Sequence, residues 1–279
     1  MPSKRKPDET ERWVADQTAS IRGRLAALGD PERAAWDREY LRSELTHLGV
    51  SLPNLRASAR AVQRELGELP HARRLALLEQ LWSAGVHDLR SFAVALVERW
   101  AKQLDADDLA WIERWLIEAN TWALVDWLAV PIVGSIVERS PERAHPVLDR
   151  WALDSNFWLR RSAMLALLVP LRKAGGEFDR FAGYALAMLP MTREEPAVAR
   201  KFIDKTIGWI LREVGRKRPG LVREFLDAQL GELAGLSVRE AIKSLPAGER
   251  ASVLARWAEV GQPRRRAAAT RKSKSKRAE

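Results

Sequence analysis

The sequence predicts an all-α fold, an α-solenoid of HEAT-like helical repeats curved around a concave face. Apolar residues recur at helical spacing along most of the chain, and strand-length alternation is missing. Prolines and glycines from Pro31 to Pro246 cut it into helices of roughly 10–20 residues. Four segments also resemble one another: "DLRSFAVALV" (88–97), "WLRRSAMLAL" (158–167), "VARKFIDKTI" (198–207) and "SVREAIKSLP" (237–246). Each sets an arginine at the head of an amphipathic helix. Arg90, Arg160, Arg200 and Arg239 are separated by 70, 40 and 39 residues, the first close to twice 35. A period near 40 with two helices per unit is the HEAT-like signature, and such stacks leave a concave binding face. A helical bundle with chance spacing is the alternative.

Composition narrows the function classes. The chain has no cysteine, which excludes disulfides, thiolate metal sites and cysteine nucleophiles. Its four histidines, His47, His71, His87 and His145, show no metal-binding spacing, so no metal and no cofactor are expected. No signal peptide or membrane-length apolar run occurs, which makes a cytoplasmic protein the expectation. The net charge of +10 calls for a polyanionic partner. Residues 263–279, with eight Lys/Arg and one Glu, carry +7 of it, leaving +3 elsewhere. Three segments follow: a disordered basic N-terminus (1–12), one repeat domain (13–260) and a disordered basic tail (261–279) that either solubilises the chain or binds nucleic acid loosely.

Three helices carry charge on unexpected faces. "NTWALVDWLAVPIVGSIVER" (120–139) reads as one helix capped at Asn120 or Thr121, with Trp122 and Asp126 sharing an apolar face with Ala129 and Val133. "NFWLRRSAMLALL" (156–168) places Arg161 among Phe157, Trp158, Met164, Leu165 and Leu168. Buried charges are expensive unless paired or used. Either Asp126 and Arg161 form a core salt bridge, or both point into a groove. In "EEPAVARKFIDKTIGWILREVGRK" (194–217) the core stripe is Ile203, Ile207, Ile210, Leu211 and Val214. Trp209 falls nearly opposite that stripe, with Lys205, Arg212 and Arg216 on its face. An aromatic ring among cations suits contact with nucleotides and phosphates; a tryptophan covered by the next helix is the alternative. Trp100, Trp111, Trp115, Trp127 and Trp151 read as core.

Taken in order, these segments resemble the AlkD-like family of DNA alkylation repair glycosylases over roughly residues 30–240. "YLRSELTHLGVSLPNLRASARAV" (40–62) is similar to the family's opening Tyr-Met-Lys…Gly-Ile/Val-x-x-Pro-x-x-Arg. "TWALVD" (121–126) matches Trp-x-x-x-Asp, "NFWLRRSA" (156–163) matches Trp-x-x-Arg, and "KFIDKTIGWILREV" (201–214) is close to Phe-Ile-x-Lys-Ala-Ile-Gly-Trp-x-Leu-Arg-Glu. Departures are Thr121, Ala123 and Leu124, and a longer link at 172–196 that shifts Trp209 relative to Arg161.

The resemblance implies excision of cationic N3- and N7-alkylated purines from double-stranded DNA by a monomer. It implies Trp122, Asp126, Arg161 and Trp209 as the catalytic set; Tyr40, Arg160, Lys205, Arg212 and Arg216 are the residues expected to touch DNA. Asp126 would stabilise the oxocarbenium-like sugar and orient water, Arg161 would hold a phosphate, and the two indoles would face the cationic nucleotide from a concave DNA-binding groove. Two other readings stand beside it: a DNA-binding repeat protein without catalysis, and a scaffold for a protein partner.

Overall fold

Capping residues start the helices. Asp8 and Glu11 each accept the other's backbone N–H at 2.8 Å, so α1 (Glu9–Ala27) begins inside the segment expected to be disordered up to residue 12. Asp30 accepts from the N–H groups of Glu32 and Arg33, and Pro31 supplies the first position of α2 (Pro31–Leu41). Ser51 caps α3 (Leu52–Leu66). The computed structural model describes residues 8–173 and 176–260. The expected tail 261–279 and residues 1–7 lie outside them.

The described residues are helical throughout, with one isolated bridge between Thr46 and Val86 in place of any strand. After α3 come α4 (His71–Ser83), α5 (His87–Trp100), α6 (Leu109–Ala119), α7 (Trp122–Trp127), α8 (Gly134–Arg139), α9 (Pro141–Ala152), α10 (Phe157–Ala166), α11 (Leu168–Arg172), α12 (Phe178–Glu194), α13 (Ala197–Gly215), α14 (Pro219–Gln229), α15 (Gly235–Ala241) and α16 (247–260). Helices α3, α5, α7, α10, α13 and α15 start at 52, 87, 122, 157, 197 and 235, so the repeat runs 35, 35, 35, 40 and 38 residues. The longer fourth interval holds the 172–196 link. No described helix is long and apolar enough to cross a membrane.

Two compact units divide the chain, one ending at Ile136 and the other beginning at Val137. In the first, α3, α5 and α7 pack in succession, backed by α1, α4 and α6. Its core is aromatic: Trp82 and Trp115 stack at 4.2 Å, and Trp111, expected in the core but half-buried, meets Trp115 edge-on at 5.0 Å. In the second, α10, α13 and α15 pack in succession, with α9, α12 and α14 against them. Gly208 makes the α13–α15 approach feasible, because a Cβ there would lie 2.6 Å from that of Glu240 and 2.8 Å from the Ser237 carbonyl.

The repeated arginines have a structural job. Arg90 donates from Nε to the Trp82 carbonyl at the end of α4 and from Nη1 to the Glu118 carbonyl near the end of α6. Arg160 donates to the carbonyls of Asp154 and Ser155 just beyond α9, and Arg200 to that of Arg193 near the end of α12. Each satisfies carbonyls in or just after the C-terminal turn of a neighbouring helix, where carbonyls lack intrahelical partners.

In the first unit Asp88 ties the α2–α3 loop to α5. Its buried carboxylate accepts from Leu48 N–H at 2.7 Å and Val50 N–H at 2.9 Å. His47 and His87 stack beside it at 4.4 Å and 9°. Potential metal-ligand atoms of the three lie within 4.8 Å of one another, a grouping that histidine spacing does not reveal. The rings are near-parallel, so their in-plane lone pairs lie in separate, stacked planes. Burial, with His47 nearby, holds the His87 imidazole down at about 4.

Two outcomes are expected. Asp88→Ala strips two N–H groups, one buried and one part-buried, of a charged acceptor and lowers the unfolding free energy by about 2–4 kcal/mol in urea denaturation. The folded His87 titrates below its ordinary 6.5, so its contribution is whole above pH 6.5 and is lost as pH falls toward about 4, when the unfolded imidazole takes up the proton first. Stability drops by on the order of 1–3 kcal/mol over that window. His87→Phe reduces the drop when the two proteins are unfolded at matched pH.

Candidate functional site

The first unit places Trp122 and Asp126 one turn apart on α7, both half-buried, while Leu124, Val125, Leu128 and Ala129 are buried. Asn120, with φ 45°, ends α6, and Thr121 occupies the expected cap position without a side-chain cap bond. The single helix expected over 120–139 is interrupted. Pro131 has no N–H to donate, and Leu128–Val133 widens into a π-helical turn between α7 and α8. Trp122 and Asp126 thus stand on a short helix whose other face is buried and which runs into an irregular turn.

Tyr40 of α2 meets Trp122 edge-on at 6.0 Å, and Trp36 stacks on Tyr40 at 4.7 Å. This brings the expected DNA-contacting tyrosine to the expected catalytic tryptophan. Trp127, expected in the core, is half-buried: its Nε1 donates to Glu98 at 2.9 Å, and the Arg56 guanidinium lies 4.8 Å over its ring.

Arg56 begins a basic surface that helical periodicity alone does not single out. Arg56, Arg60 and Arg64 recur every fourth residue on α3, and all are exposed. Arg56, Arg60 and Arg99 border one cleft; Arg64, Arg74 and Arg99 border the next. Arg56 pairs with Glu98 at 3.5 Å, whereas Arg60 and Arg64 have no acidic partner among the described residues. Successive arginines on α3 rise about 6 Å per step, a spacing suited to a run of phosphates. Its signal is the i, i+4, i+8 arginines of "NLRASARAVQREL" (54–66), hidden in a segment read only as a family motif.

In the second unit two placements correct the sequence reading. Arg160, expected to touch DNA, is 0% exposed and joined to Glu195 as well as to the carbonyls beyond α9. A guanidinium closing a helix end has no face left for a phosphate. Arg212 is half-buried and paired with Glu240 of α15, and Arg216 pairs with Glu213 at 3.1 Å. Of the three cations assigned to the Trp209 face, Lys205 alone is exposed without an acidic partner among the described residues.

Arg161 is 3% exposed; its Nη1 donates to the Phe202 carbonyl at 2.8 Å and to the Thr206 hydroxyl, both on α13. The arginine on an apolar stripe thereby joins α10 to α13. Trp209, seven residues beyond Phe202, is half-buried, and the stripe Ile203, Ile207, Ile210, Leu211 and Val214 is buried as expected. On the same helix, burial pushes the Asp204 carboxyl up to about 6, against the pull of Arg200.

The chain is similar to known proteins. A solved structure described as a predicted DNA alkylation repair enzyme from Enterococcus faecalis is similar to this chain, with a TM-score of 0.68 and 21% identity over 78% of this chain and 97% of that one. No curated protein matches the chain. The sequence profile of the family described as DNA alkylation repair enzyme matches residues 21–245, a stretch that contains Tyr40, Trp122, Asp126, Arg161 and Trp209. By that match, the chain belongs to the family of DNA alkylation repair enzymes.

Proposed function

We propose that this protein is a DNA glycosylase, acting as a monomer without metal or cofactor, that excises cationic N3- and N7-alkylated purines from duplex DNA. One observation carries the reading: a half-buried carboxylate one helical turn from a tryptophan, beside an arginine-lined surface, on a chain of the alkylation repair family.

The chemistry asks little of the protein as an acid. Alkylation at N3 or N7 leaves the purine positively charged, so it departs neutral when the N-glycosidic electron pair goes with it. Positive charge then grows on the sugar. Asp126 stabilises that charge and orients the water whose oxygen bonds to C1′ and whose proton is released. Trp122 offers a ring face to the cationic nucleotide. In the second unit, Trp209 and Lys205 offer an aromatic ring and a cation of their own to DNA. Arg161 serves as a positioning residue, because its guanidinium holds α13 rather than reaching solvent. Arg60 and Arg64 hold the DNA backbone.

Asp126→Asn is expected to cut release of 7-methylguanine or 3-methyladenine from methylated duplex by about 100-fold or more while leaving duplex affinity within a few-fold. Chromatography of the freed base and fluorescence anisotropy measure the two. A wild-type protein that binds duplex and frees no methylated base is instead a non-catalytic DNA-binding protein. For the double variant Arg60→Gln/Arg64→Gln, the log–log dependence of duplex affinity on salt becomes shallower by about 0.9 for each phosphate that the variant no longer neutralises. An unchanged slope removes those arginines from the interface.

A further inference from the structure

α2 is built unlike its neighbours. It is an 11-residue helix with no buried residue, held by the Asp30 cap at one end and a left-handed Arg42 at the other. An isolated helix of that length is marginal in water. Gly49, with φ 78°, lets the following loop lie against its first turn, where a Cβ would sit 2.1 Å from the Asp30 carbonyl. Alanines on the outer face would suit a helix so held, yet it carries Trp36, 59% exposed, and Tyr40, 57% exposed. The two rings stack at 4.7 Å and 15°, and Tyr40 runs edge-on into Trp122.

We infer that Trp36 is a stacking residue for an unpaired nucleobase, extending the Trp36–Tyr40–Trp122 row outward from the site. The inference rests on the DNA reading above. Three observations favour a nucleobase over a protein surface. The free area is small, roughly 200–300 Å² of ring for the two side chains, against about 800 Å² per partner in a stable protein interface. The rings continue directly from Trp122. Arg33, one turn before Trp36 on the same helix face, is exposed and has no acidic partner among the described residues, which puts a cation in reach of the phosphate of a stacked nucleotide. A paired duplex hides its base faces within the stack. Trp36 therefore acts on a base already displaced, and adds selectivity for distorted over intact DNA without a closed pocket.

The test uses the full chain and a duplex with one extrahelical 2-aminopurine, whose emission is quenched by stacking. Wild-type protein quenches it. Trp36→Ala abolishes the quenching and weakens binding of the bulged duplex by roughly 5- to 150-fold, while affinity for the fully paired duplex stays within about twofold. Trp36→Phe restores both. Equal quenching by Trp36→Ala and wild type overturns the inference, as does a weakening that falls equally on paired and bulged duplex. Release of methylated purines is scored separately: quenching without excision leaves the stacking role standing and removes the enzyme, and excision without quenching does the reverse.

Discussion

The interaction on which the fold depends is an arginine closing the open end of an earlier helix. A helix ends on four carbonyls without intrahelical partners, and packing a helical hairpin takes water away from them. Arg90, Arg160 and Arg200 each occupy the fourth position of α5, α10 and α13; Arg90 and Arg200 donate to carbonyls in the last turn of neighbouring helices, and Arg160 to the two carbonyls of the turn that follows α9. Guanidinium suits the task because its several donors fork, so one side chain satisfies two carbonyls and still meets Glu195 in the case of Arg160. Burying such a charge is tolerable only when its donors are used, which explains why the residue reads as a motif.

The position after the cap arginine is where the repeats diverge. It is Ser91 in α5, Asp126 in α7 and Arg161 in α10, and Asp126 and Arg161 are 35 residues apart. Arg161 uses this position to reach the Phe202 carbonyl of α13, tying one repeat to the next. In α7 the cap position itself is Val125, buried and apolar, so no arginine accompanies the carboxylate. The same slot therefore serves as a strut in one repeat and presents a half-buried carboxylate in another.

Much of this is legible in the sequence, for identifiable reasons. Helical periodicity and the recurring arginines point to the all-α repeat architecture, because core burial and helix closure act locally. Trp122, Asp126 and Arg161 stand out because a charge or ring on the wrong face is visible on a helical wheel. What escapes depends on who faces whom. No wheel distinguishes Arg160, sealed against Asp154 and Glu195, from an arginine in solvent, nor shows that Arg212 finds Glu240. The basic stripe of α3 escapes for the opposite reason: exposed arginines every fourth residue look like an ordinary solvated face until Arg99 and Arg74, from two other helices, are seen to border the same clefts. The π-helical turn at Leu128–Val133 escapes as well, since the apolar periodicity of 120–139 continues through Pro131 and reads as one unbroken helix.

On the proposed reading, the first unit solves an electrostatic conflict. A DNA backbone needs cations, while an alkylated purine is itself a cation and is repelled by them. At 4 Å two like charges cost about 4 kcal/mol in the effective dielectric near a protein surface, enough to cancel several good hydrogen bonds. The unit separates the two demands by helix. The arginines that border the clefts lie on α3, α4 and α5, whereas the aromatic row and Asp126 lie on α2 and α7, with Arg33 at the outer end of that row. Trp127, adjacent to Asp126 in sequence, fastens Glu98 and carries Arg56 over its face, so this arginine is held to an acid and a ring. Lesion recognition then requires no pocket that excludes normal bases. A neutral base gains neither the cation–π contact nor the carboxylate, and the selection falls on charge.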